Sequence, residues 1–165
     1  MILETVIVAD SSPLIGLARI GRLALLPKIA ERIVVGRAVW DEVTVAAPDA
    51  PGAKAIRECA FLEVVSPSTT FTQPVPTEID AGEAEAIALA QGMTGCLLLV
   101  DDANARRVAK RLHIRHTGTV GLLRLAKHCG LIPALRPELE ALIKAGIYLR
   151  AELIEQALAQ VGESS

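Results

Sequence analysis

The chain predicts an α/β fold, a three-layer sandwich with a central, mainly parallel sheet of four to five strands. Three observations carry this. Val6 to Ala9 and Leu97 to Val100 are short, wholly apolar runs, as in strands buried on both faces of a helix-covered sheet. Strand-like and helix-like segments alternate along the chain. Hydrophobic residues make up 52% of the chain and aromatics only 2%, so Leu, Ile, Val and Ala must build the core, which suits helices packed on a sheet. With 165 residues and no linker-like stretch, one domain over 1–165 is expected, with C-terminal helices from about 137.

The first strand is read as Val6 to Ala9. Ser12 is the expected N-cap of the next helix, with Pro13 at its first position, and Gly21 breaks it before a second helical piece ending near Ala30. A strand at Ile33 to Val35 and a helix at Ala38 to Ala47 follow. Pro48, Pro51 and Gly52 interrupt the chain before a short helix near Ala53 to Ala60 and an edge strand at Leu62 to Val65. Ser66 to Pro76, rich in Pro, Ser and Thr, reads as a surface loop. Helix Ala81 to Met93, strand Leu97 to Val100, helix Ala103 to Leu112, a short strand around Ile114 to His116 and helix Thr119 to Cys129 continue the alternation. Helices at Pro137 to Ala145 and Ala151 to Val161 end it.

Composition narrows the function classes. No apolar run approaches the ~20 residues that span a bilayer, and no charged segment leads into a long apolar one at the N-terminus, so a soluble, cytoplasmic protein without membrane contact is expected. Cys59, Cys96 and Cys129 are far apart and read as reduced thiols. His113, His116 and His128 match no zinc spacing. Net charge is -2, which excludes a broadly basic coat for nucleic acid. Arg106, Arg107, Lys110, Arg111 and Arg115 nonetheless cluster just after Asp101 and Asp102. That stripe suits a polyanion beside an acidic centre, or a solvated helix face.

The acids are the informative residues. Asp10 ends the first strand, and Asp101 and Asp102 end the second apolar run, at the sheet edge where α/β proteins place their ligands. Ser11 and Ser12 stand closer to Pro13 and can cap its helix, which leaves Asp10 unneeded for that purpose. Glu42 has Ala38, Val39, Val45 and Ala46 three and four positions away, while Asp41 lies opposite with Thr44, so a helical projection turns Glu42 inward. An inward carboxylate must be paired, protonated or metal-bound; Arg19 and Arg37 are the competing partners. Asp80 to Glu83 fits a capping box, yet Glu83 also shares a stripe with Ala86, Ile87 and Ala90. Asp102 is the expected N-cap of the next helix, leaving Asp101 at the strand end. Thr119 reaches the same edge as a helix cap or as a contact to phosphate or water.

Taken in order, these segments resemble the PIN-domain nucleases, and within them a prokaryotic group similar to the toxin ribonucleases of type II toxin-antitoxin pairs. The resemblance runs from Val6 to about Gly146. It rests on Asp10-Ser11-Ser12-Pro13-Leu14-Ile15, Glu42, the Asp80 to Ala90 segment, Leu98 to Asp102 with Arg106, and Gly118-Thr119-Val120-Gly121. It implies a PIN-like fold and catalytic acids at Asp10, Glu42, Glu83 and Asp101, with Asp102 joining them as metal ligands. The third acid is more often Asp in that family, and Val100 stands where toxin members often carry Thr or Ser. The implied cofactor is Mg2+ or Mn2+, which takes oxygen ligands. The implied reaction is endonucleolytic hydrolysis of single-stranded RNA, with Ser11, Arg106, Arg107, Lys110 and Thr119 as candidate substrate contacts. A cognate antitoxin and a homodimer are the further partners considered.

Two rival classes remain open at this level. A phosphatase with Asp10 as nucleophile generally needs a second Asp two residues on, where this chain has Ser12, and leaves Glu42 unexplained. A partner-binding module would keep the acidic cluster as a socket for Arg or Lys from another chain.

Overall fold

β1 (Glu4–Ala9) lies at the centre of the sheet because both of its faces are apolar. In the computed structural model, which describes residues 2–67 and 79–163, it is joined by β2 (Ala30–Gly36), β3 (Leu62–Val65), β4 (Cys96–Leu99) and β5 (His116–Thr117). All pairings are parallel, in the order β3-β2-β1-β4-β5. The register sets Val6 beside Arg32 on one side and Cys96 on the other, and ends with Ala9 beside Leu99.

Alternation along the strands divides the core into two layers. Ile7, Ala9, Ile33, Val35, Leu97 and Leu99 pack with residues of α1 (Ser11–Arg19), α7 (Thr119–His128), α8 (Arg136–Lys144) and α9 (Ala151–Gln160). Val6, Val8, Val34, Cys96, Leu98 and Val100 pack against α5 (Ala81–Gln91) and α6 (Ala103–Arg111). The predicted three-layer α/β sandwich is therefore present, with an all-parallel five-stranded sheet. α2 (Leu26–Ile29), α3 (Arg37–Trp40) and α4 (Ala53–Arg57) complete the α-helices among the described residues.

Several boundaries differ from the sequence reading. α1 starts at Ser11, so Asp10 rather than Ser12 occupies the N-cap position and Pro13 is third in the helix. The helix expected over Ala38 to Ala47 is α3 followed by a π-helical turn, Asp41–Val45, closed by the Ala46 amide on the Asp41 carbonyl at 2.8 Å. β5 is displaced to His116–Thr117 because the backbone turns left-handed at His113, φ 58°. Most of the loop expected at Ser66 to Pro76 lies outside the described residues. Among the described residues no helix is long and apolar enough to cross a membrane.

Candidate active site

The two strand tips share an edge but not a face. Asp10 follows Ala9, so the alternation of β1 turns its side chain towards the layer of α5 and α6, where Val6 and Val8 point. Asp101 follows Val100, which sends it the other way, towards α7. Asp102 turns back to the α5 side and caps α6, its Oδ2 accepting from the Ala105 amide at 2.9 Å, as the sequence suggested.

Asp10 is 3% exposed and its Oδ1 is buried without a hydrogen-bond partner. Its side chain makes no capping bond although it stands at the N-cap, since Pro13 at the third position has no N–H to offer. Burial pushes the Asp10 carboxyl up to about 7; the Ser11 amide works against this, and Glu83, Asp80 and Glu42 add to it by repulsion. Glu83 is also raised, first by burial, with the Asp80 amide opposing and with Asp102, Asp80 and Glu42 contributing repulsion. Mutual repulsion thus ties Asp10, Glu42, Asp80, Glu83 and Asp102 into one acidic centre. Asp80 had been read only as a cap; its place beside Asp10 was hidden because the cap accounts for it locally.

Glu42 reaches this centre from outside. It is exposed, not turned inward, and Val45 is 65% exposed. The inward residues are Val39, Val43 and Thr44, because the wider π turn shifts every later side chain off the projection of a regular helix. No ion pair joins Glu42 to Arg19 or Arg37 among the described residues. Its carboxylate lies over the first turn of α5, where a Cβ added to Gly82 would stand 3.4 Å from Glu42 Oε2 and 3.5 Å from Asp80 Oδ1.

The capping box of α5 is fully formed: Glu83 N–H donates to Asp80 Oδ1 at 2.8 Å, and Asp80 N–H donates to Glu83 Oε2 at 2.9 Å. One turn on, Glu85 accepts from the Ala38 amide at 2.9 Å and so caps α3 from another helix. The sequence reading passed over Glu85, because its partner lies 47 residues away.

Asp101 is held by α7. Thr119 donates its amide to Oδ1 at 2.7 Å and its hydroxyl to Oδ2 at 2.6 Å. Thr119 is buried, as is Ser11, whereas Arg106 is exposed and adjoins the same edge. Arg107 and Lys110 point to solvent, Arg107 donating to Asn104 on its own helix at 2.9 Å. Arg115 leaves the basic stripe altogether, forming a two-pronged pair with buried Glu4 at 2.8 and 2.6 Å. Cys96, buried beneath the sheet, has its thiol pushed up to about 11 by that burial, a poor nucleophile.

Among the described residues no three Asp, Glu, His or Cys side chains are gathered around a single point fit for an ion. A divalent cation fits on other grounds. Asp10 Oδ1 is an orphaned buried acceptor, the surrounding donors are hard carboxylate oxygens, and no ion pair among the described residues neutralises the acidic centre. Moving Glu83 onto such an ion would withdraw Oε2 from the Asp80 amide.

A parallel α/β sandwich with acids gathered where strand order reverses, between β1 and β4, has the layout of the doubly wound folds that bind ligands at such a switch point. The family model described as DUF3368, PIN domain, matches residues 6–163, and the chain belongs to this family. PIN domains form a nuclease superfamily, so nucleic acid and phosphodiester hydrolysis are the general context of the site. No curated protein matches the chain.

Proposed function

We propose that the protein is a metal-dependent endoribonuclease that hydrolyses single-stranded RNA and acts as the toxin of a toxin-antitoxin pair. The observation that carries this reading is the buried, unpartnered Asp10 Oδ1 among acids that no ion pair neutralises among the described residues. Mg2+ or Mn2+ is the proposed cofactor, with Asp10, Glu42, Glu83 and Asp102 as its ligands and Asp101 at the margin. When bound, such an ion supplies activated water and neutralises charge developing on the leaving 3′ oxygen.

The chain's own residues do the rest. Asp10 is buried at 3% exposure, so its orphaned oxygen is shielded from bulk solvent. Asp101 orders the start of α7 through Thr119, and each of its oxygens accepts only one of these bonds, leaving acceptor capacity on both. Arg106 supplies positive charge beside the acids for a phosphate. A second reading, a catalytically weak module that receives a cation from a partner such as an antitoxin, draws on Glu83 being engaged as a helix cap.

The test is incubation of the pure protein with 5′-labelled RNA and Mn2+ or Mg2+, in parallel with EDTA and with Asp10→Asn. Cleavage that stops in both controls is expected. Cleavage surviving both sinks the metal-carboxylate mechanism, and no cleavage of any RNA together with no metal binding by calorimetry favours the partner-binding module.

A further inference from the structure

A groove of about 940 Å3 opens beside Asp101 and runs between α1, α7 and α9. Its charged lining is Arg106, Arg124 and Arg150 against the single acid Asp101, whose two oxygens Thr119 already engages. None of these arginines takes part in an ion pair among the described residues. Arg124 hydrogen-bonds the neutral amide of Gln160 and also borders an adjoining hollow lined by Lys127 and His128. Tyr148, on the α8–α9 connection, is 85% exposed at the groove wall and presents an open ring face beside the arginines.

The geometry points to this groove as the path of the RNA strand, with phosphates on Arg106, Arg150 and Arg124 in turn and a base stacked on Tyr148. The path therefore leaves the sheet edge at Asp101 over α7 and α9, not along Arg107 and Lys110 of α6. The inference rests on RNA being the substrate. Three arginines outnumber the one acid, Asp101, in this lining and make no ion pair among the described residues, which suits a polyanion, and an exposed aromatic among them suits an unpaired base. A duplex offers its phosphates but no free base face, so a single strand is the occupant that uses both features.

The experiment is fluorescence anisotropy of a labelled single-stranded RNA with the full chain in EDTA, so that nothing is cut, over a series of salt concentrations. Arg124→Ala and Arg150→Ala are expected to weaken binding several-fold and to flatten the slope of log affinity against log salt by about 0.7 each. Tyr148→Ala is expected to weaken binding at least about fivefold with the slope unchanged. Lys144→Ala, outside the groove, serves as control. Loss of affinity and slope in Arg107→Ala and Lys110→Ala, with the groove variants like wild type, overturns the path while leaving the nuclease reading standing. Wild-type protein that binds no single-stranded RNA at any salt overturns both. A groove that takes a protein segment instead reveals itself by RNA binding indifferent to all three groove changes.

Discussion

Pro13 stands three residues beyond Asp10, at the helix position whose amide an N-cap carboxylate commonly accepts from, and it has no amide hydrogen to give. The acid is thereby kept out of the cap and left with a buried, unbonded oxygen. Pro13→Ala restores the donor. The expected result is a fall of roughly one pH unit in the Asp10 pKa, the equivalent of one capping bond, read by NMR titration of the carboxyl carbon. An unchanged value would falsify the role given to Pro13.

Metal-free protein should lose stability as pH rises. The folded pKa of Asp10, about 7, lies above its ordinary value of 3.8, so between those limits the folded state holds more protons than the unfolded one. Unfolding free energy therefore falls with pH across that window and levels off above it. Denaturant titrations in EDTA from pH 4.5 to 7.5 should show the decline in wild type and a clearly shallower one in Asp10→Asn, where raised Glu83 remains. The variant should be more stable than wild type at pH 7.5 by ~2–4 kcal/mol; equal slopes in the two proteins refute the assignment.

Asp101 and Asp10 should separate on mutation. Asp101→Asn gives up charge-assisted bonds from Thr119 at an exposed site, a loss of about 1 kcal/mol. Gly118→Ala is expected to do the same, since its Cβ would stand 2.6 Å from Asp101 Oδ1 and displace the carboxylate. Calorimetric Mn2+ affinity should drop further in Asp10→Asn than in either. The reverse ranking would make Asp101 the principal ligand.

Glu85 links α5, which carries Glu83, to the start of α3, which leads into the turn bearing Glu42. Glu85→Ala removes that cap, with an expected cost of about 1 kcal/mol and a fall in melting temperature of about 2–4 °C. Metal affinity should fall with it, because Glu42 loses its fixed position relative to Glu83, while Glu85→Gln keeps an acceptor and should recover most of both. Gly36→Ala is predicted to resemble Glu85→Ala, as the added Cβ overlaps the Glu85 carboxylate. Full metal affinity in Glu85→Ala would confine the residue to structural support.

Much of this architecture was legible because the signals are local. Val6 to Ala9 and Leu97 to Leu99 are apolar on both faces, and the caps of Asp80 with Glu83 and Asp102 with Ala105 close within a single turn. Glu42 was misplaced because a regular helical projection carries no sign of a π turn. Glu4 with Arg115, and buried Glu138 with Arg22 at 2.9 and 2.5 Å, escaped notice because their partners are distant in the chain. The groove is illegible for the same reason, since Arg106, Arg124, Tyr148 and Arg150 become neighbours only when α9 closes over α7.

The pairing of β1 with β4 also has a kinetic meaning. Val6 meets Cys96 only after most of the chain has been made, a contact of high sequence separation and slow closure. Until then the nascent polypeptide carries its acids dispersed, and no repulsion opposes collapse. The repulsion of Asp10 with Glu83, and of Glu83 with Asp102, which follows β4, therefore arises in the same step that closes the apolar centre of the sheet, whose burial offsets it.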